Sequence, residues 1–322
     1  LRTTNDLPLP TLADISAAHA RIAPYIHRTP LIGSASIDAR LGSRLLLKCE
    51  NMQRAGAFKI RGALNALSQL SEAERGRGVV AFSSGNHAQG VALAGKILGI
   101  RTTIVIPEGA NQAKVDATRG YGAEVVQIGV HDATRGEVAK KIAAESGASI
   151  IPPFDDDRVI AGAGTVGLEI HQDLSEVENV FVPLGGGGLL AGTAMALTSL
   201  KPGVRVYGVE PLAGNDGQRS FRSGEIVRID PPQTIADGAR TTAIGIRNFA
   251  IIRERVTDIL SVDDAELLDV LKYVMYRTKL VIEPTGALAI AALLTGKVRV
   301  KGPSVAVISG GNIDYAVLGG AN

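Results

Sequence analysis

The chain has 322 residues, 45% of them hydrophobic and 20% charged, with 34 basic and 32 acidic side chains giving a formal net charge of +2. That is the balance of a globular enzyme with interior enough for one large or two medium domains, and its mixed charges exclude a basic arm for nucleic acid. No apolar run reaches membrane-spanning length, no leader-like start is present, and Cys49, the only cysteine, rules out an intramolecular disulfide or a thiolate metal cluster; a cytoplasmic location is expected.

In chain order, short apolar runs alternate with helical patterns. Arg44–Cys49 predicts a buried strand, and the stripe Ile60, Ala63, Leu64, Leu67, Leu70 predicts a helix that starts near Lys59. Strand Gly78–Phe82, helix His87–Leu98, strand Thr102–Ile106, helix Ala113–Tyr121, strand Glu124–Ile128 and helix Arg135–Ser146 follow. After the turn signals of Pro152–Asp157 come strand Asn179–Val182, helix Leu189–Leu200 and strand Val204–Glu210. Beyond Asp230–Pro232 the pattern gives helices Ala265–Thr278 and Gly286–Leu294 and strand Ser304–Ile308. Such alternation implies an α/β fold with parallel sheets covered by helices. There is no repeat, and composition marks no domain boundary.

Four loops carry candidate chemistry. Lys59, between Phe58 and Ile60 at a helix start, suits a Schiff-base lysine because burial disfavours its ammonium form; a surface lysine at a helix end reads the same way. Ser83-Ser84-Gly85-Asn86-His87 ends a strand and opens a helix, where backbone N–H groups attract a carboxylate or a side chain merely caps the helix. Gly185-Gly186-Gly187-Gly188-Leu189 follows a strand and leads into a helix, which favours a phosphate site. The same loop formally fits a dinucleotide fingerprint, with Glu210 closing the next strand, so a NAD-binding oxidoreductase is the rival. Ser309-Gly-Gly-Asn312 sets a hydroxyl at a strand's carboxyl end, or is simply a tight turn. Gly90 to Lys96 imitates a phosphate loop, but Ile97 stands where a magnesium-binding hydroxyl belongs.

In this order the loops resemble the fold-type II pyridoxal-phosphate family, closest to serine/threonine dehydratases, serine racemases and hydroxyaspartate dehydratases. The similarity runs from Arg28-Thr-Pro-Leu31 to Ser309-Gly-Gly-Asn312 and takes in Thr234–Gly238 and Glu283–Gly286. It implies a tryptophan-synthase-β-like fold, with two open, twisted, mostly parallel sheets flanked by helices. The large domain would be residues 1–55 plus 151–322 and the small one 56–150, with the active site between them.

The resemblance also implies roles. Lys59 would carry pyridoxal 5'-phosphate and later abstract the α-proton, Phe58 would pack on the ring, and Asn86 would bond the 3′-oxygen. Gly185, Gly186, Gly187, Gly188 and Leu189 would cradle the phosphate. Ser309 would face the pyridine nitrogen, and a neutral hydroxyl there favours elimination. Ser83, Ser84, Gly85, Asn86 and His87, with Arg135, would take the substrate carboxylate. Ser84 would be the acid/base on the face opposite Lys59. Glu210, Asp216 and the carbonyl of Gly214 would bind Mg²⁺, or Ca²⁺ or Mn²⁺.

The implied function is an ammonia-lyase (dehydratase) acting on L-serine or L-threonine. Serine racemase and 3-hydroxyaspartate dehydratase are alternatives on the same site, and a catalytically silent binding protein on the same scaffold is a further one. A homodimer is expected, and no feedback domain beyond Asn322.

Overall fold

The computed structural model describes residues 8–127, 129 and 134–319. Its first part holds α1 (Leu12–Ile22), β1 (Leu31–Gly33), α2 (Ala35–Leu41), β2 (Leu45–Cys49), α3 (Lys59–Ser68) and α4 (Glu72–Arg77). Then come β3 (Val79–Phe82), α5 (Asn86–Leu98), β4 (Thr102–Val105), α6 (Gln112–Gly120), β5 (Glu124–Val126), α7 (Arg135–Ser146) and β6 (Ser149–Ile150). The chain continues through α8 (Asp157–Asp173), β7 (Asn179–Pro183), α9 (Gly188–Leu200), β8 (Arg205–Pro211), α10 (Asp216–Ser223) and α11 (Ile246–Arg255). It closes with β9 (Asp258–Val262), α12 (Asp264–Thr278), α13 (Pro284–Leu294) and β10 (Ser304–Ile308).

The strands form two sheets. A six-stranded sheet has the order β1-β2-β10-β7-β8-β9, parallel except for the antiparallel edge strand β1. A four-stranded parallel sheet, β5-β4-β3-β6, is built from residues 79–150. The expected α/β class with mostly parallel sheets is therefore the observed one.

The apolar runs in β7 and β10 have no polar face because both sides of the large sheet are covered. Val180, Val182, Val305 and Val307 enter the core under α8, α9 and α11, whereas Phe181, Ala306 and Ile308 enter the core under α12 and α13. A third core lies between α3, α5 and one face of the small sheet, and α7 covers the other face.

Several elements fall outside the predicted segments. Helix α8 is buried from Val159 through Ile170 and carries three glycines, Gly162, Gly164 and Gly167, residues that weaken a helical reading of the sequence. Its glycines serve close helix contact: a Cβ on Gly162 would lie 2.5 Å from the Arg61 carbonyl oxygen. β1 and β6, of three and two residues, are too short to carry a pattern. Strand Glu124–Ile128 ends at Val126, and Ile128 lies outside the described residues. Among the described residues, no helix is long and apolar enough to cross a membrane.

Candidate active site

Lys59 is the first residue of α3, and the turn before it is unusual. Ala55 and Gly56 both have left-handed backbones (φ +58° and +70°), and the Gly56 site has no room for a side chain because Asn312 Oδ1 would lie 2.4 Å from a Cβ. The loop after β10 pins this turn through its backbone. Phe58 N–H donates to the Ser309 carbonyl (3.1 Å), Gly311 N–H donates to the Gly56 carbonyl (2.9 Å), and Ala57 bridges Gly310. Thus the first and fourth loops, about 250 residues apart in sequence, form one structure.

Lys59 Nζ donates to the Pro153 carbonyl at 2.7 Å and sits 5.0 Å from the centre of the Phe58 ring. Burial pushes this amine down to about 8, against the attraction of Glu283. Gly90 of α5 fits against the Lys59 backbone, where a Cβ would lie 3.1 Å from its carbonyl carbon. The phosphate-loop look-alike is therefore a helix-packing site.

The third loop forms the tight turn into α9, with Gly187 at φ +99°. A Cβ on Gly186 would lie 2.2 Å from the Phe154 ring, one on Gly187 would lie 2.9 Å from Asn248 Cβ, and one on Gly185 would lie 3.1 Å from the Gly238 carbonyl. The Gly186 carbonyl accepts from Gly245 N–H (3.0 Å) and Asn248 Nδ2 (2.7 Å). The first turn of α9 leaves backbone N–H donors without helical acceptors, and residues 185–188 carry no side chains of their own. This is a fit for a phosphate.

The second loop leaves β3 with Ser83 N–H on the Val105 carbonyl (3.1 Å), and Ser83 Oγ accepts from Gly85 N–H (3.2 Å). Ser84 is the half-buried bend between them, and Gly85 caps α5. Asn86 Nδ2 donates to Glu283 Oε1 (2.6 Å), and Asn86 Oδ1 accepts from Asn312 Nδ2 (2.8 Å). The His87 ring points inward, with Nε2 3.0 Å from the Ile151 carbonyl. Burial, helped by the nearby Lys59 charge, pushes the ring down to about 3. It is neutral at ordinary pH, so His87 can offer a carboxylate only its backbone N–H, not a cation. Arg135 starts α7, and a Cβ on its neighbour Gly136 would lie 3.9 Å from the Phe82 ring, so this helix start adjoins the end of β3. Ser309 is buried at the end of β10.

Pro153, Phe154 and Glu283 drew no role from patterning. The signal for the first two was the turn cluster Pro152–Asp157; for Glu283 it was an acid just before a proline at a helix start. Glu283 is buried, its Oε2 has no hydrogen-bond partner, and burial with the neighbouring Asp237 charge pushes it up to about 7.

The suggested metal ligands lie elsewhere, at the end of β8. Glu210 is buried and accepts from Gly217 N–H (3.2 Å) and Gln218 N–H (2.7 Å). Asp216 opens α10 with Oδ2 buried and unpartnered, and Gly214 is buried in the turn between them. Burial raises Asp216 to about 7 and Glu210 well above the carboxylate range. Among the described residues there is no group of three or more His, Cys, Asp or Glu side chains placed for a metal. Glu210 is buried beneath α10, out of reach of a ribose; the dinucleotide rival fails here.

A family model described as pyridoxal-phosphate dependent enzyme matches residues 22–310. The chain is 49% identical to an L-threo-3-hydroxyaspartate ammonia-lyase of Saccharomyces cerevisiae over 314 residues, covering 96% of each chain. It is 49% identical to a serine racemase of Schizosaccharomyces pombe over 312 residues, covering 97% of each. Among solved structures, a T.th. threonine deaminase superposes with a TM-score of 0.91 at 48% identity, over 95% of this chain and 99% of that one.

Proposed function

The chain belongs to the pyridoxal-phosphate-dependent enzymes, and from that premise we propose that it is an ammonia-lyase converting L-serine or L-threonine to a 2-oxo acid and ammonia. The observation that carries this reading is the Lys59 amine. It is half-buried, depressed by desolvation to about 8 and held by Pro153, whose neighbour Phe154 packs on the glycine turn.

When bound, pyridoxal phosphate supplies an electron sink for the bond broken at the substrate α-carbon. Lys59 would be the attachment point, and its free amine would take the α-proton. Backbone N–H groups of Gly185–Gly188 and Leu189 would hold the phosphate, and Phe58 would flank the ring. Asn86, itself steered by Glu283 and Asn312, bonds the ring oxygen. Ser309 would face the ring nitrogen without adding charge, which would favour early loss of the β-hydroxyl; together with the proton taken from the α-carbon it makes up the water lost. Ser83, Ser84 and the backbone donors from Gly85 to His87 hold the substrate carboxylate, with Arg135 alongside. The released enamine tautomerises and takes up water, giving the 2-oxo acid and ammonia.

Glu210, Asp216 and the Gly214 carbonyl are hard oxygen donors that would hold Mg²⁺, or Ca²⁺ or Mn²⁺, and the unpartnered Asp216 Oδ2 supports that fit. The ion would brace the β8–α10 turn rather than enter the chemistry. The division into residues 1–55 plus 151–322 and 56–150, and a cytoplasmic homodimer, complete the proposal.

A second reading, elimination from 3-hydroxyaspartate, is favoured by Arg135, a cation at a helix start beside the Ser83 loop. Arg240, a second arginine that could meet a β-carboxylate, is turned back onto the Thr234 carbonyl (2.6 and 2.9 Å). The deciding experiment follows 2-oxo acid formation and chirality with L-serine, D-serine, L-threonine and the 3-hydroxyaspartate stereoisomers, for the wild type and Ser84→Ala. L-Serine and L-threonine should lead. The variant should keep dehydration and lose any L-to-D conversion, because proton delivery opposite Lys59 would need Ser84. Hydroxyaspartate turned over at least about a hundredfold more efficiently, about 2.7 kcal/mol of discrimination, would overturn the substrate order. Parallel loss of both activities in a stably folded variant would refute separate faces.

A further inference from the structure

Two residues past Lys59, on the other side of the same helix, Arg61 enters the large domain. An α-helix turns about 100° per residue, so the two side chains leave α3 about 200° apart. Arg61 is wholly buried, and all five of its N–H donors are used. Nε and Nη2 donate to the two oxygens of Glu50 (2.8 and 2.9 Å). Nη1 and Nη2 donate to the two oxygens of Glu169 on α8 (2.8 and 2.9 Å), and Nη1 also donates to Thr165 Oγ1 (3.1 Å). Lys48 of β2 closes the group, donating to Glu169 Oε2 (2.7 Å) and to the Thr29 carbonyl (2.7 Å), while Thr29 Oγ1 donates to Glu50. Two cations face two carboxylates, and each of the four is at most 1% exposed.

Such a group is a costly way to join two helices. Burying charges is opposed by lost hydration, and an apolar cluster of similar volume often holds a fold as well. α3 and α8 already have an apolar joint, since a Cβ on Gly62 would lie 2.9 Å from Val159 and one on Gly162 would lie 2.7 Å from Gly62 Cα. What a smooth glycine contact lacks is a fixed rotation of α3 about its own axis. A planar guanidinium forked onto two carboxylates fixes it, and lysine cannot reproduce that geometry. We propose that Arg61 is a positioning residue for Lys59: by gripping Glu50 and Glu169 together it sets the rotation of α3, so that the lysine amine meets the cofactor in one orientation.

This inference rests on the cofactor reading above, and the test keeps the two apart. The holoenzymes of the wild type, Arg61→Lys and Thr165→Val are compared by visible circular dichroism of the bound cofactor, by kcat and KM, and by melting temperature. Borohydride reduction of the wild type first locates the attachment; a site other than Lys59 would sink the cofactor reading itself. Arg61→Lys keeps the charge and loses the fork, so its visible dichroism should fall by at least half. Its kcat should drop at least tenfold with KM within threefold, and Thr165→Val should lie between it and the wild type. A folded, cofactor-saturated Arg61→Lys with wild-type dichroism and kcat would overturn the proposal. If Arg61→Lys does not fold, Thr165→Val decides: a lowered melting temperature with unchanged dichroism and kcat would show that the group only stabilises the fold.

Discussion

The Lys59 amine sits where water hydrates it poorly, and its chemistry follows from that. An amine attacks a carbonyl only when neutral. At pH 7 a group of pKa 8 is neutral in about a tenth of molecules, against about one in three thousand for an ordinary lysine near 10.5. Burial lowers the value and Glu283 opposes it, so the neutral fraction grows as pH rises through about 8. We therefore expect the rate of pyridoxal-phosphate capture by the apoprotein, followed by visible absorbance, to rise with pH and level off just above 8. A rate still climbing steeply at pH 10 would contradict this environment. Lys59→Ala should capture none covalently. His87, pushed down to about 3, stays neutral throughout the window and adds no second titration to the profile.

At the scale of elements, the segment between β6 and α8 does the joining. Asp155 accepts from the N–H groups of Ile246 and Arg247 (both 2.9 Å), capping α11 from a distance. Asp156 caps α8, and Asp157 pairs with Arg247. Phe154, held between them, lies against the glycine turn, so that turn has a fixed shape before any phosphate arrives. Gly186→Ala would drive a methyl into the Phe154 ring. We expect the variant to fold and to bind pyridoxal phosphate at least tenfold more weakly in an absorbance titration. Adding Phe154→Leu should recover part of the loss by making room, and wild-type affinity in the single variant would show that the turn adapts freely. Patterning could identify Pro152–Asp157 as a turn, but the work of each aspartate depends on which helix start stands opposite it.

Over the whole molecule, polar contacts supplement the apolar α3–α8 joint between the two halves. Lys114 of α6 pairs with Asp237 of the large sheet's flank, and Asn111 Nδ2 donates to Asp314 (2.7 Å). Global stability carries the mark of the β8–α10 carboxylates. Asp216 titrates near 7 in the folded state, against about 3.8 for an ordinary aspartate. Between roughly pH 4 and 7 the folded state therefore holds a proton that the unfolded chain has released, and stability falls as pH rises through that window. Glu210, shifted the same way, adds to the slope. A divalent cation on these carboxylates would cancel the penalty where they are ionised. Millimolar Mg²⁺ should raise the melting temperature by about 2 °C or more at pH 8 and barely at pH 5, and Asp216→Asn should flatten both the pH slope and the Mg²⁺ response. An equal response at both pH values would remove the metal reading.

Local chemistry made the parallel α/β class, seven of the ten strands among the described residues, and the four loops legible. Apolar runs such as Ser304–Ile308 and glycine clusters such as Gly185–Gly188 owe their form to backbone needs that act within a few residues. The resemblance to pyridoxal-phosphate enzymes rested on those loops, and the family comparison agrees with it. Helix α8 was not legible, because its three glycines read as turn residues rather than as helix formers. Nor was the engagement of His87 with Ile151, the pairing of Asn86 with Glu283, or the four-charge group around Arg61. Each joins segments that only the folded chain brings together. A side chain's charge and reach are written in its residue type, but its partner, its burial and hence its pKa are fixed by whatever the rest of the fold packs against it.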